Sequence, residues 1–167
     1  MPPNLHNTHV KLLAFDLLSL TQTPNPHSSS SDTISFSRRG SPLSRVEILG
    51  TVTFRDSKPG KFLKFSIDDG TGCVPCILWL NHMTSPYFSR RRPQDVRLIA
   101  HVASDFASLI KIGTVARVRG RVTGYRGSVQ VTVSDVVIER DPNVETLHWL
   151  DCMRLARKCY DPLPHRK

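Results

Sequence analysis

Phe62, Lys64 and Trp79 place two aromatic rings beside an ammonium group within one short stretch of chain. Single-stranded nucleic acid asks for that mixture, because bases stack on rings and phosphates seek positive charge. The stretch reads Lys61-Phe-Leu-Lys-Phe-Ser-Ile-Asp-Asp-Gly-Thr-Gly-Cys-Val-Pro-Cys-Ile-Leu-Trp79. A second reading of Phe62 and Trp79 is plain core, and this stretch alone weighs the two equally. A second basic group is larger. Arg117, Arg119 and Arg121 alternate with Ala116, Val118 and Val122, so one face of a strand is cationic. Tyr125 and Arg126 follow in a turn, Gly124 to Gly127. Arg90, Arg91, Arg92, Arg97 and Lys111 precede them, with only Asp95 and Asp105 to oppose. A solvated charged face is the ordinary explanation of such a run. Rings among arginines favour a nucleic-acid groove.

Other chemistry is weaker. Cys73 and Cys76 look like half a zinc site that Cys152 and Cys159 could complete. Residues i and i+3 of an extended strand point to opposite faces, however. Cys76 is in phase with Val74 and Leu78 and reads as a small core residue. Asp68 and Asp69 suit a turn that bonds its own backbone better than a pair of catalytic carboxylates. Gly70-Thr-Gly72 leads into a strand, whereas a phosphate loop leads into a helix. Of the seven histidines, His82 and His101 lie near the hairpin and the helix without an evident partner. The expectation is no catalytic residue, no metal and no cofactor.

The elements that must carry these residues follow from periodicity. Leu63, Phe65 and Ile67 alternate with Phe62, Lys64 and Ser66, a half-buried strand. Asp-Gly with a second Gly supplies a tight turn. Val74, Cys76 and Leu78 then share one face, and Ile77 and Trp79 the other. The result is a hairpin with one dry face. Before it, Val46, Ile48, Gly50, Val52 and Phe54 alternate with Arg45, Glu47, Thr51 and Arg55. An interior Gly50 marks a sharp bend or a close backbone approach. Asp56 to Gly60 is a turn. From Pro93, the residues Val96, Ile99, Val102, Ala103, Phe106, Leu109 and Ile110 recur at helical spacing and Gly113 closes the helix. The arginine strand comes next. Val129, Val131 and Val133 form the last strand, kinked at Ser134-Asp135. Asp141-Pro142 opens a final helix.

The order is bent strand, hairpin, helix, strand, strand, helix. It predicts an all-β core with helices: a five-stranded OB-fold Greek-key barrel, with a helix between strands 3 and 4 and a C-terminal helix after strand 5. That fold binds ligand on its second and third strands and on the loops after its first and fourth. Here those places hold Phe62, Lys64, Trp79, Tyr125 and Arg126. The expected domains are an arm over 1–20 packed on the barrel, a mobile Ser/Pro-rich loop over 21–35, the barrel over 36–140, and a partner-binding helix and tail over 141–167. The arm is expected to be partly strand and partly a short turn of helix. In the last helix, Leu155, Cys159, Cys152, Ala156, Trp149, Tyr160 and Met153 cover half the circumference, with Leu147 and Leu150 beyond. One small domain cannot cover so wide a face, so a second chain is expected there.

Composition agrees. A net charge of +9 and a pI near 9.9 point to an acidic partner, nucleic acid first and anionic membrane second. No apolar stretch approaches the ~20 residues of a spanning helix, and no secretory signal is apparent. Four cysteines in 167 residues are too few for a disulfide scaffold, which fits a reducing compartment.

These residues resemble a known family. Asp68-Asp-Gly-Thr-Gly72 followed by Cys76-Ile-Leu-Trp79 looks like the OB domain shared by the middle subunit of replication protein A and the Stn subunit of the telomere-capping CST complex. Val46-Glu-Ile-Leu-Gly-Thr-Val52, Arg117-Val-Arg-Gly120, Tyr125-Arg126, Asp141-Pro142 and Lys158-Cys-Tyr-Asp161 favour the Stn side, and Val10-Lys-Leu-Leu-Ala-Phe15 its plant form. The resemblance implies a nuclear, telomeric role without catalysis. It implies pairing with the small OB protein Ten, assembly with a large multi-OB subunit, binding of single-stranded telomeric DNA, and support of fill-in by DNA polymerase α–primase. It places Trp79 and Tyr125 at the DNA face, with Arg126 assisting, and Trp149, Met153 and Tyr160 on the helix that meets Ten. Leu147, Leu150 and Ala156 join that helix set from the periodicity. Animal and fungal members carry winged-helix domains after the barrel, and the expectation here is none, which puts contacts made through them in doubt. A general replication-protein-A-like subunit, a pure protein scaffold and a zinc-dependent enzyme are the competing readings.

Overall fold

The computed structural model describes residues 5–24, 34–81 and 93–161. Its frame is one long strand, β4 (Ser41–Lys58). A Cβ built on Gly50 would lie 2.3 Å from the carbonyl oxygen of Asp68. The missing side chain therefore lets two backbones touch, the close approach expected at that glycine. The first half of β4 pairs with β7 (Val115–Tyr125) and the second half with β5 (Phe62–Asp68). β5 pairs with β6 (Cys73–Trp79) in a regular hairpin. β6 runs parallel to β8 (Ser128–Glu139) at Cys76 and Ile77, and β8 returns antiparallel to β7. The path β4-β5-β6-β8-β7-β4 closes on itself, so the five strands form the expected barrel.

Alternation fills the barrel. Val46, Ile48, Val52, Leu63, Phe65, Ile67, Val74, Cys76, Leu78, Val118 and Val131 are all buried. Ile77, expected on the outer face, is buried as well. α2 (Pro93–Leu109) brings Ala103 to this core, and Ile110 follows it in. Val102 and Leu109 of its expected apolar face stay exposed. Arg55 Nε donates to the carbonyl of Ile110 at 3.0 Å, which ties β4 to the helix end. The kink expected at Ser134-Asp135 is a bulge. Arg119 pairs with Asp135, then Gly120 with Val133, and Ser134 is skipped.

A second irregularity was not legible. Register shifts between Val52 and Phe54, so Phe54 leaves the inward series in which simple alternation put it. Its ring is 52% exposed.

The amino-terminal arm is strand then helix, as expected. β1 (Leu5–Lys11) runs parallel to β4 with Val10 beside Val46, and α1 (Ala14–Leu18) follows. Val10, Leu12, Ala14, Leu17 and Leu20 are buried. The loop boundaries need correction. Thr21–Pro24 forms β2, paired with β3 (Ile34–Arg38), which in turn pairs with β4. Residues 21–24 and 34–35 thus belong to the sheet. A segment poor in apolar residues can still satisfy its backbone groups on an available edge. The rest of the expected loop, 25–33, lies outside the described residues.

Asp141 takes the N–H of Asn143 at 2.9 Å, and α3 (Val144–Leu155) follows, continued by a wider π turn at Ala156–Tyr160.

Candidate nucleic-acid interface and the last helix

Two local features assemble the ring cluster. The β5–β6 register sets Phe62 opposite Trp79, and their rings meet edge to face at 5.9 Å between centroids. The β7–β8 turn is two residues, Arg126-Gly127, both with positive φ (50° and 78°). That geometry matches a hairpin turn whose twist suits its strands. It carries Tyr125, 45% exposed, toward β5. Lys64 links the two arms: its Nζ lies 5.1 Å from the Phe62 ring centre and 5.0 Å from that of Tyr125. Arg126 lies 5.3 Å from the Tyr125 ring. Lys58, which the turn reading passed over, lies 5.5 Å from Phe62 because β4 sets it directly opposite. Each such contact is worth roughly 0.5–1 kcal/mol at an exposed site and preorganises ring and cation together. Phe62, Lys64, Trp79, Tyr125 and Arg126 are therefore one surface.

Two of the three strand arginines are held by carboxylates instead. Arg119 Nε donates to Glu47 Oε2 at 2.6 Å, and Arg117 pairs with Glu139 at 2.7 Å. Arg121 lies on the same face, exposed, opposite Arg45 on β4 and Thr132 on β8. Glu47 is buried, and Lys11 of the arm also reaches it, at 3.6 Å. Burial alone would push the Glu47 carboxyl up. The hydrogen bond and charge of Arg119, with Lys11, outweigh this and hold it below the ordinary value. Alternation put the three arginines on one outward face correctly. Which part of a closed barrel that face meets depends on carboxylates far away in sequence.

The last helix stands over this ion-pair region. Val144, His148 and Cys152 face inward. Lys11 Nζ pairs with Asp151 at 3.0 Å, and the Lys11 N–H donates to the Tyr160 hydroxyl at 3.2 Å. Tyr160 is thus half-buried against the arm, and Ala156 is half-buried beside it, rather than both lying on the open face expected for them. Leu147, Leu150 and Met153 are exposed, and Trp149 is partly so. Trp149 Nε1 donates to the carbonyl of Asp69 at 3.0 Å.

That bond ends on the Asp-Asp-Gly-Thr-Gly turn. Asp68 and Asp69 accept the N–H groups of Gly70 and Thr71, as expected of turn residues. Asp69 also accepts the Ala14 N–H at 2.7 Å, and the Thr71 hydroxyl accepts the Phe15 N–H at 3.0 Å. The turn therefore clamps α1 and α3 to the barrel. Cys73 and Cys76 fall on opposite faces, one exposed and one buried. Burial drives the Cys76 thiol above its ordinary range and that of Cys152 up to about 12.

His148 is buried, with Nε2 3.4 Å from Cys152 Sγ, and burial holds its imidazole below the ordinary value of 6.5. The folded chain therefore resists protonation of His148 more than the unfolded chain does. Its stability contribution is therefore whole above 6.5 and is lost as pH falls through and below that value. The thermal midpoint should drop between pH 7 and pH 5, and drop less in His148→Gln. His9, lowered by burial and by Arg119 and Arg45, leaves a remainder. An equal drop in both proteins would remove His148 as the source. Staying above pH 5 keeps Glu47 out of the comparison.

Comparison with known proteins agrees with this architecture. The OB-fold nucleic acid binding domain family matches residues 46–139. CST complex subunit STN1 of Arabidopsis thaliana is 52% identical over 161 residues, which is 96% of each chain. The STN1 of Ailuropoda melanoleuca is 30% identical over 75% of this chain, which spans only 36% of that longer relative. Among solved structures, the S. pombe Stn1-Ten1 complex matches with a TM-score of 0.62 at 20% identity, over 87% of this chain and 88% of that one. A replication protein A heterotrimer bound to single-stranded DNA matches equally well, at 0.62 and 18% identity, over 89% and 94%. The two structures share the fold. The Arabidopsis relative, matched over 96% of each chain, decides the family: this chain belongs to the STN1 family of CST complex subunits.

Proposed function

We propose that the chain holds single-stranded telomeric DNA on the Phe62–Lys64–Trp79–Tyr125 surface and docks a small OB protein of the Ten type on the outer face of α3. The observation that carries the first half is Lys64, seated between the rings of Phe62 and Tyr125. Rings take bases, and the ammonium between them takes the linking phosphate. Lys58 and Arg126 extend the phosphate path on either side. The exposed Leu147, Leu150 and Met153 support the second half, together with the Stn1-Ten1 complex, one chain of which shares this fold. In this reading the chain is a non-enzymatic nuclear subunit at telomeres. It joins a large multi-OB subunit and supports lagging-strand fill-in by DNA polymerase α–primase.

Affinity should fall as salt rises. Each phosphate contact to a single strand contributes about −0.7 to the slope of log affinity against log salt. Three cations predict a slope near about −2. Lys64→Gln should weaken binding to every sequence and flatten the slope by about 0.7. Titration of a labelled oligonucleotide from low to moderate salt measures both. A slope that Lys64→Gln leaves untouched would argue for a scaffold whose barrel face binds protein.

A further inference from the structure

Phe54 breaks the parity of its strand. Val46, Ile48 and Val52 point inward, and the bulge after Val52 turns Phe54 out. It pairs directly with Ser66. Ser66 shares the outward face of β5 with Phe62 and Lys64, and it faces exposed Pro75 on β6. Directly opposed residues of an antiparallel pair share a face, and diagonal neighbours are ~7–8 Å apart. Phe54 is the diagonal neighbour of Lys64 and stands next to the ring cluster. Polar groups stand beside it: Thr53 Oγ1 lies 3.4 Å from Ser66 Oγ and 4.0 Å from Cys73 Sγ.

A protein-docking patch presents contiguous apolar surface. An exposed ring beside the Thr53 and Ser66 hydroxyls suits a nucleobase, which stacks through its face and stays wet at its edge. We infer that Phe54, with Pro75, is a second stacking position that takes a base of a single strand leaving the Phe62–Trp79–Tyr125 cluster across β5 toward the Asp68 turn. The inference rests on the proposed binding of single-stranded DNA.

The test uses the full chain and oligothymidylates of about 6 and about 12 nucleotides, within the range that OB folds cover. Phe54→Ala should weaken the longer oligonucleotide roughly 5- to 100-fold and leave the shorter one unchanged. Phe54→Trp should retain the affinity and Phe54→Leu should not. Equal losses for both lengths, or none for either, overturn the inference. The Trp79→Ala, Tyr125→Ala double variant separates it from the reading beneath it. If that variant binds as wild type, the ring cluster is not the DNA site. If it loses binding while Phe54→Ala loses none, only the second position falls. Should Phe54→Ala fail to fold, the wild-type chain still decides. The longer oligonucleotide must slow alkylation of exposed Cys73 and leave exposed Cys159 unchanged. Equal Cys73 rates with and without DNA overturn the proposal.

Discussion

The double substitution Trp79→Ala, Tyr125→Ala lowers affinity for single-stranded DNA by roughly 100-fold. Each ring stacked on a base is worth about 1–3 kcal/mol by alanine substitution. The two losses are not independent. Trp79 sets the tilt of Phe62 through their edge-to-face contact, and Tyr125 holds Lys64 from the far side. Removing both takes the edge contact from Phe62 and one of two rings from Lys64, which keeps its place over Phe62. The cations remain, so the salt slope should change little. That contrast with Lys64→Gln separates stacking from phosphate contact. Tyr125 lies near mid-exposure and Trp79 is half-buried, so a thermal scan must accompany the titration. Fluorescence anisotropy at one fixed salt concentration reads the affinity. Unchanged affinity in a folded double variant would transfer the barrel face to protein binding.

Charging the last helix should disconnect the partner. Leu150→Glu with Met153→Glu is expected to lower capture of the small OB protein by at least about 100-fold, while the free chain stays folded. Both side chains are more than half exposed, so their substitution costs the fold little. In a packed interface the same carboxylates would be buried without partners, which is the costly case. Co-purification of the two tagged proteins measures the loss. Retained capture would move the interface off α3. The choice of positions comes from the structure. Cys152 and Tyr160 lie within the apolar arc that periodicity marks, yet they serve the chain itself, one beside His148 and the other beneath the arm. Leu147 and Leu150 lie beyond that arc and are open.

What sequence alone determined was local. Period-two alternation from Leu63 to Ile67 and from Val129 to Val133 reports which side of a strand is dry, because successive side chains must point to opposite faces. Asp68 to Gly72 could be read as a turn from the positive φ that glycine permits, borne out at Gly70. Gly50 could be read as a close approach, because only a residue without Cβ allows one. The ring cluster was legible for the same reason: Phe62, Lys64 and Trp79 share a hairpin face, and one tight turn delivers Tyr125 and Arg126.

Only the tertiary structure decided where outward faces arrive. Arg119 finds Glu47 across 72 residues and Arg117 pairs with Glu139, so two arginines of a strand that reads as a cationic face are engaged in ion pairs. Phe54 reads as core until one bulged residue reverses its side, and a bulge depends on the partner strand. Asp69 reads as a turn residue and is one, but it also receives Ala14, while its carbonyl receives Trp149. Alternation is fixed by the covalent chain. Pairings between distant segments are fixed by closure of the barrel, which no local stretch encodes.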